Sequence, residues 1–364
     1  MRADVHRFSI ADPSDVSGLK AAIDNGVIDA STIVAVIGKT HGNGLVNDYT
    51  RGYLTLCLSI LIGQRSGRTP QAVREQVPFI FSGGVEGVLS PHYTVFTVVP
   101  DEASSADRKA LAIGVAFTPL MRPSDIGRTA QIEAVATAVA DAAAKAGIED
   151  VHFVQVKGPA FTLADILEDQ RASRPPTTDN PGKLMSFGRA ACALGVAKAL
   201  GELPAERAVE GAVLKDFSLY SSVASMSAGV EVDVNEVIVI GMSSKWSGSL
   251  AIDHTTMADA LDVGSIHAMV QRLGFPAAPQ VADAGRIRAA FIKCEAQRDG
   301  MVRGRPHTML NDGDINEQRH IRGAVGAIAA SILNDTGLFV SGGAEHQGPD
   351  GGGMIAVIAE RAEA

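Results

Sequence analysis

Three short stretches of this chain share one pattern. Ser82-Gly83-Gly84-Val85-Glu86, Ser227-Ala228-Gly229-Val230-Glu231 and Ser341-Gly342-Gly343-Ala344-Glu345 all read Ser-small-Gly-apolar-Glu. Each follows an apolar residue, Phe81, Met226 or Val340. The copies lie too far apart for a solenoid, whose repeats run to about 50 residues at most. The spacing predicts three copies of one domain-sized unit, each bringing one serine to a shared place.

The flanking segments repeat as well. Apolar runs Ile33–Lys39, Val151–Lys157 and Arg286–Lys293 read as strands that end on a lysine. Each is followed by a polar loop (Thr40 to Asp48, Asp169 to Lys183, Arg298 to Asp314) and by a helical run that opens near an arginine, Arg51, Arg189 or Arg322. The serine comes next, then the strands Thr94–Val99, Val237–Ile240 and Met354–Ile358. Amphipathic helices are expected ahead of the lysine strands, over Pro13–Asn25, Gln131–Ala146 and Met257–Leu273. The long second loop is expected at the surface as a flap. The order helix, strand–Lys, loop, Arg–helix, Ser-turn, strand thus occurs three times, which divides the chain into 1–104, 105–250 and 251–364. With 364 residues, two to three domains are expected on length alone.

Bulk composition narrows the partners. A net charge of −9 argues against nucleic acid, which needs a basic face. Cys57, Cys192 and Cys294 are odd in number, dispersed and without Cys-x-x-Cys spacing, so neither a zinc site nor a disulfide framework is expected, and a reducing cytoplasm is the simplest setting. The first residues hold no signal core, and the longest apolar run is too short to cross a membrane.

The triplets Lys39/Arg51/Ser82, Lys157/Arg189/Ser227 and Lys293/Arg322/Ser341 suggest a chemistry when taken together. A lysine at one strand end is ordinarily a solvated terminus, and one serine in a glycine turn is ordinarily a turn residue. Arginine near a helix start opposes the helix dipole, so its recurrence there points to a ligand. Around one cavity, burial and neighbouring cations would lower a lysine pKa and let it serve as base for a serine nucleophile. Backbone N–H groups of the Gly-rich turns suit an oxyanion, and three arginines suit carbonyl oxygens or an anion. The expected ligand is small, carbonyl-rich, acidic and close to threefold symmetric.

Three longer segments carry a family resemblance. Gly38-Lys39-Thr40-His41-Gly42-Asn43-Gly44, Ser82 to His92 and Ser341-Gly342-Gly343-Ala344-Glu345-His346-Gln347-Gly348-Pro349 resemble the cyanuric acid hydrolase/barbiturase family of ring-opening amidohydrolases. That resemblance implies an α/β protein of three similar YjgF-type domains, set with pseudo-threefold symmetry around one central active site. It implies ring opening of cyanuric acid to carboxybiuret, which decarboxylates to biuret, or else opening of barbituric acid to ureidomalonate. It assigns Ser227 as nucleophile and Lys157 as its base. Lys39, Ser82, Lys293 and Ser341 become substrate-holding pairs, with Arg51, Arg189 and Arg322 and the backbone N–H groups of Gly83, Ala228 and Gly342. It also implies no organic cofactor, a structural Mg2+ or Ca2+ held by Glu295 and by carbonyls of Ala344, Gln347, Gly348, Pro349 and Gly352, and a homotetramer. A Gly/Pro-rich loop can turn several carbonyls to one hard cation.

Other readings are weaker. Gly38-Lys39-Thr40 is no phosphate loop, because position 33 is isoleucine where that motif needs glycine. His41, His92 and His346 show no His-x-x-x-His spacing for a catalytic zinc. Cys294, directly after Lys293, points to the opposite face of its strand and into the core. Gln318 lies four residues before Arg322, on the same helix face, and is the candidate for choosing the ring. Ala228 stands where the other two copies have glycine and stiffens that turn. A binder of small acidic metabolites without catalysis is the alternative to a Ser–Lys hydrolase, and barbituric acid is the alternative substrate.

Overall fold

The computed structural model describes residues 1–101, 108–276 and 279–361. In chain order its first stretch contains β1 (Arg2–Ser9), α1 (Ser17–Asp24), β2 (Ile33–Thr40), α2 (Thr50–Ser66), α3 (Pro70–Arg74), β3 (Phe79–Gly83) and β4 (His92–Val99). Next come β5 (Ala110–Leu120), α4 (Thr129–Ala146), β6 (Asp150–Pro159), α5 (Leu163–Arg171), α6 (Pro181–Ala199), β7 (Ala224–Gly229) and β8 (Val234–Ser243). The last stretch has β9 (Leu250–Met257), α7 (Val263–Arg272), β10 (Ile287–Lys293), the small hairpin β11 (Met301–Val302) and β12 (Arg305–Pro306), α8 (Glu317–Leu333), β13 (Phe339–Ser341) and β14 (Gly353–Glu360).

The result is a mixed α/β fold whose described residues form three four-stranded sheets. Their orders are β1-β4-β2-β3, β5-β8-β6-β7 and β9-β14-β10-β13, so in each the first strand pairs the fourth, the fourth pairs the second, and the second pairs the third. Only the last of these pairings is parallel in each sheet. The antiparallel ladder along the lysine strand shifts register each time, and the shift ends at Ala35, Phe153 and Ala289, the fourth residue before the lysine. A bulge recurring at one place is a designed feature of the backbone, since it re-aims the residues beyond it.

The sheets turn one face to a common core. Phe96 of β4 and Phe153 of β6 stack on Phe291 of β10, with ring centroids 6.4 Å and 4.5 Å apart. Helices cover the outer faces: Leu54, Leu58 and Ile62 of α2 pack over the first sheet, and Val135, Val139 and Ala142 of α4 over the second. No helix of the described residues is long and apolar enough to cross a membrane.

The structure corrects several expectations. Each unit gains an opening strand (β1, β5, β9), and residues of the expected helix Met257–Leu273 divide between the end of β9 and α7. The serine turns are strand-borne, since Ser82, Ser227 and Ser341 all lie in the parallel strands. The expected flap is shortened from both ends, its first three residues ending α5 and its last three opening α6. Asp169 is buried in α5 and accepts from Ser124 N–H, and Asn180 caps α6 by accepting from Lys183 N–H, which leaves a shorter connection. Arg189 therefore sits in the middle of α6, and the helix-dipole argument does not apply to it. The division at 104/105 lies outside the described residues, and that at 250/251 falls one residue inside β9.

Candidate active site

The parallel pairing sets the site. Lys39 lies opposite Ser82, Lys157 opposite Ser227, and Lys293 opposite Ser341, at the same step of the same ladder in all three sheets. Residues opposite each other on neighbouring strands share a face, so each lysine lies beside its serine without any loop to position it. All three lysines are fully buried. Lys39 Nζ donates to Ser82 Oγ at 3.0 Å, and Lys293 Nζ to Ser341 Oγ at 3.2 Å. Lys157 differs: its amine donates to the carbonyl of Phe81 at 2.7 Å and pairs with Glu231 Oε1 at 2.7 Å. Ser227 Oγ accepts instead from Gln155 Nε2, at 3.4 Å.

One cavity of about 460 Å³ gathers the serines and the arginines. Ser82, Ser227 and Ser341 line it together with Arg51, Arg189 and Arg322, and Ser82 Oγ is 3.2 Å from Ser341 Oγ. Gly83, Ala228 and Gly342 also line it, as do Gln318 and Glu295. The lysines lie beneath the serines, outside the wall. The turn after Ser227 is unlike the other two. Gly84 and Gly343 take left-handed φ of 94° and 66°, whereas Gly229 continues β7.

The glutamates of the repeated motif, for which the sequence suggested no role, close the site. Arg322 binds Glu86 with Nε at 2.8 Å and Nη2 at 2.5 Å. Arg189 binds Glu345 in the same way, at 2.9 Å and 2.5 Å. Arg51 Nε lies 3.3 Å from Glu231, while its Nη groups donate to Ala228 O and Leu45 O. Each arginine therefore meets the glutamate of the next copy, first to second, second to third and third to first. The recurrence of Glu at the fifth place of the motif was the sequence signal for these pairs.

Electrostatics follow from burial. Desolvation lowers Lys157 to about 8, against the pull of Glu231, and Lys293 to about 7 with help from the Arg189 charge. Lys39 is lowered well below its usual value by burial and by Arg322. Basicity alone thus does not select one lysine. Burial would raise Glu345, but the Arg189 guanidinium holds it low; Glu295 is raised by burial and by the neighbouring Glu345.

Gln318 reaches the cavity, yet its amide is engaged: Oε1 accepts from Gly343 N–H at 2.5 Å, and Nε2 lies 3.5 Å from Glu295 Oε1. The histidines near the motifs are supports. His346 bridges Leu219 O (2.6 Å) and Leu214 N–H (3.0 Å), and His92 Nδ1 bonds Ser90 O. Cys294 is buried in the core with its thiol pushed up to about 12 by burial. A histidine pair invisible to sequence spacing, His152 and His254, meets between the second and third sheets with Asp253, outside the cavity; its Nδ1 atoms satisfy each other at 2.9 Å.

Glu295 is the carboxylate expected to hold a cation. Its Oε2 is buried without a hydrogen-bond partner, beside the loop that carries Ala344, Gln347, Gly348, Pro349 and Gly352. Arg298 approaches the same oxygen at 3.3 Å. Ala344 O and Pro349 O each accept one turn hydrogen bond and keep a second lone pair. The donor set is all oxygen and fits a hard divalent cation.

Comparison with known proteins agrees along the whole chain. The family model described as amidohydrolase ring-opening protein matches residues 4–360. A cyanuric acid amidohydrolase of Enterobacter cloacae is 45% identical, with 100% of both chains covered. A cyclic amide hydrolase of Azorhizobium caulinodans is 42% identical over 98% of this chain and 99% of its own. A solved structure, described as a cyanuric acid hydrolase and an evolutionary innovation by structural concatenation, superposes with a TM-score of 0.95 at 46% identity, covering 99% of each chain.

Proposed function

The chain belongs to the ring-opening amidohydrolase family, and on that premise we propose that it hydrolyses a ring C–N bond of cyanuric acid to give carboxybiuret, which loses carbon dioxide to leave biuret. The observation that carries the reading is the meeting of three serines and three arginines in one cavity, in a chain 45% identical over its length to a cyanuric acid amidohydrolase. A ring with three equivalent carbonyls matches three Ser–Arg sets, one from each copy of the motif. The repeated sheet topology and the cyclic Arg–Glu pairs support three similar YjgF-type domains about a pseudo-threefold axis, divided near 104 and 250.

In this reading Arg189 and Arg322 commit their Nε/Nη2 edge to glutamate and offer Nη1 to the ring carbonyls. Holding the ring in attack geometry removes several kcal/mol, about 7–11 at most, from the barrier. Lys157 takes the proton of Ser227, whose Oγ attacks a carbonyl carbon while the backbone N–H groups around the serine turns receive the oxyanion. Lys157 returns that proton to the departing ring nitrogen. Water then cleaves the acyl-serine ester. The resting Lys157 amine is held by Glu231 and Phe81 O, and such hydrogen bonds commonly tighten onto the nucleophile only when substrate is bound.

A divalent cation, Mg2+ or Ca2+, would be held by Glu295 and the carbonyls of Ala344, Gln347, Gly348, Pro349 and Gly352. It would supply fixed positive charge that orders the loop behind Ser341. No organic cofactor enters the scheme. A tetramer working in the cytoplasm is the assembly and setting that the family resemblance favours.

The test is turnover of cyanuric and barbituric acid by purified protein and by Ser82→Ala, Ser227→Ala and Ser341→Ala. Cyanuric acid is expected to be opened. Ser227→Ala should abolish the acyl-enzyme, while the other two variants mainly raise KM. Acyl-enzyme in Ser227→Ala would remove that serine as nucleophile. Preference for barbituric acid would move the assignment to the other ring.

A further inference from the structure

The three lysines share a register with their serines, but only one of them shares it with an acid. On the antiparallel side, Lys157 of β6 lies opposite Glu236 of β8. In the first sheet the same place, opposite Lys39, holds His92. In the third sheet that ladder ends one residue short of Lys293, at Ile292 and Ile355. Ser227, Lys157 and Glu236 thus stand in a row across three strands on one face. Lys157 alone of the three also forms an ion pair with its motif glutamate, Glu231.

Both carboxylates border a second pocket of about 640 Å³, on the far side of Lys157 from the substrate cavity. Its mouth is formed by exposed Gln71, Arg74, Glu75 and Asp233. Inside it, the hydroxyl of Thr55 is buried without a hydrogen-bond partner, as is Glu231 Oε2, so polar atoms are in place for a short file of water. Glu236 Oε2 accepts from Phe79 N–H at 3.1 Å, which fixes the side chain.

We propose that Glu231 and Glu236 form a proton exit, leading from Lys157 to solvent through this rear pocket, with Glu236 the group that passes the proton on. The inference rests on the Ser227–Lys157 reading above. Its need follows from the balance of the reaction. Water adds its oxygen to the acyl carbon, and one of its protons restores the Ser227 hydroxyl. The other stays on the new carboxyl group and is released when that group ionises. The hydrolytic step thus frees one proton, before the later loss of carbon dioxide takes one up, and a rear route lets it leave while the product still fills the front cavity. Lys157 accepts it, hands it to a carboxylate, and water in the rear pocket carries it off. Burial raises Glu236 to about 8, against the opposing charge of Lys157, and Lys157 itself lies at about 8, so the transfer is close to level. Glu231, Asp233, Arg74 and Glu75, with Arg51 against Glu231, are the other charged groups around the path.

Glu236→Gln keeps an acceptor for Phe79 N–H but cannot carry a proton. It is expected to lower kcat about 100-fold or more with KM nearly unchanged, the lower end of what a lost proton transfer costs. Glu236→Ala should lose a similar factor and regain activity with added formate, which fits the vacated space, whereas Glu236→Gln should gain nothing from formate. Wild-type kcat in Glu236→Gln across the whole pH range would overturn the exit. So would a defect in Glu236→Ala that formate cannot restore, at constant ionic strength and with the melting temperature retained. If the wild type opened neither ring, the hydrolase reading and this inference would fall together; a working wild type with an indifferent Glu236 would remove the inference alone.

Discussion

At the scale of single residues, the lysines decide how the site works. A lysine at a strand end is ordinarily solvated, and nothing local in Gly38-Lys39-Thr40 predicts a fully buried amine. What buries all three is the closing of the sheets over them, and that burial is the main reason their pKa values fall. With Lys157 near 8, only about a tenth of it is neutral at pH 7. The kcat/KM for ring opening is therefore expected to rise about tenfold per pH unit on the acid side and to level off above about pH 8. A pH–rate profile checks this, and a flat profile from pH 6 to 9 would remove Lys157 as the base. Stability carries the matching sign. The folded chain binds fewer protons at Lys157 than the unfolded chain between about 8 and 10.5, so the burial cost is full below that window and fades as pH rises through it.

At the scale of elements, the sequence located the lysine strands and the closing strands well, because buried strands appear as short apolar runs. It missed β1, β5 and β9. In β1 and β9 polar and apolar residues are mixed, as in Arg2–Ser9 with buried Ala3 and Val5 beside half-buried Asp4 and His6, which is a weak signal beside a fully buried run; β5 is itself apolar, but small residues and Gly114 and Pro119 interrupt it. It also placed Arg189 at a helix start, because the polar, Pro-rich stretch Asp169–Lys183 resembles a loop; Asn180 and Pro181 instead form a good N-terminus for α6. A cation in the loop between β13 and β14 is an expectation from resemblance alone, and Glu295 Oε2, buried without a hydrogen bond, adds a physical reason to test it. Exhaustive chelation is expected to lower the melting temperature by several degrees, with Ca2+ or Mg2+ restoring it, because an ion bound only by the folded state stabilises that state. Glu295→Gln should abolish the response to both chelator and ion. A melting temperature indifferent to chelation in the wild type would argue that Arg298 alone serves Glu295.

At the scale of the whole molecule, the fold closes through buried ion pairs running one way round. Glu86 and Arg322, 236 residues apart, join the third copy back to the first. The pair is largely buried, with side-chain exposures of 14% and 8%, so truncating one partner strands the other. Glu86→Ala is expected to cost about 3–5 kcal/mol of unfolding free energy and to weaken substrate binding by releasing Arg322. Denaturant unfolding and KM measure the two effects, and a loss below about 1 kcal/mol would mean the pair behaves as an exposed one.

The sequence by itself determined the threefold recurrence, the strand that carries each lysine and the serine that follows it. Those are consequences of local pattern, and a β-strand's period of two already puts Lys293 and Cys294 on opposite faces. Only the tertiary structure decided which glutamate answers which arginine, and that Lys157 alone stands between a serine and two carboxylates. Three copies related in sequence can join within themselves or hand their groups to a neighbour. That choice depends on how the sheets pack around the common core, through contacts between residues more than a hundred positions apart, which no local period encodes.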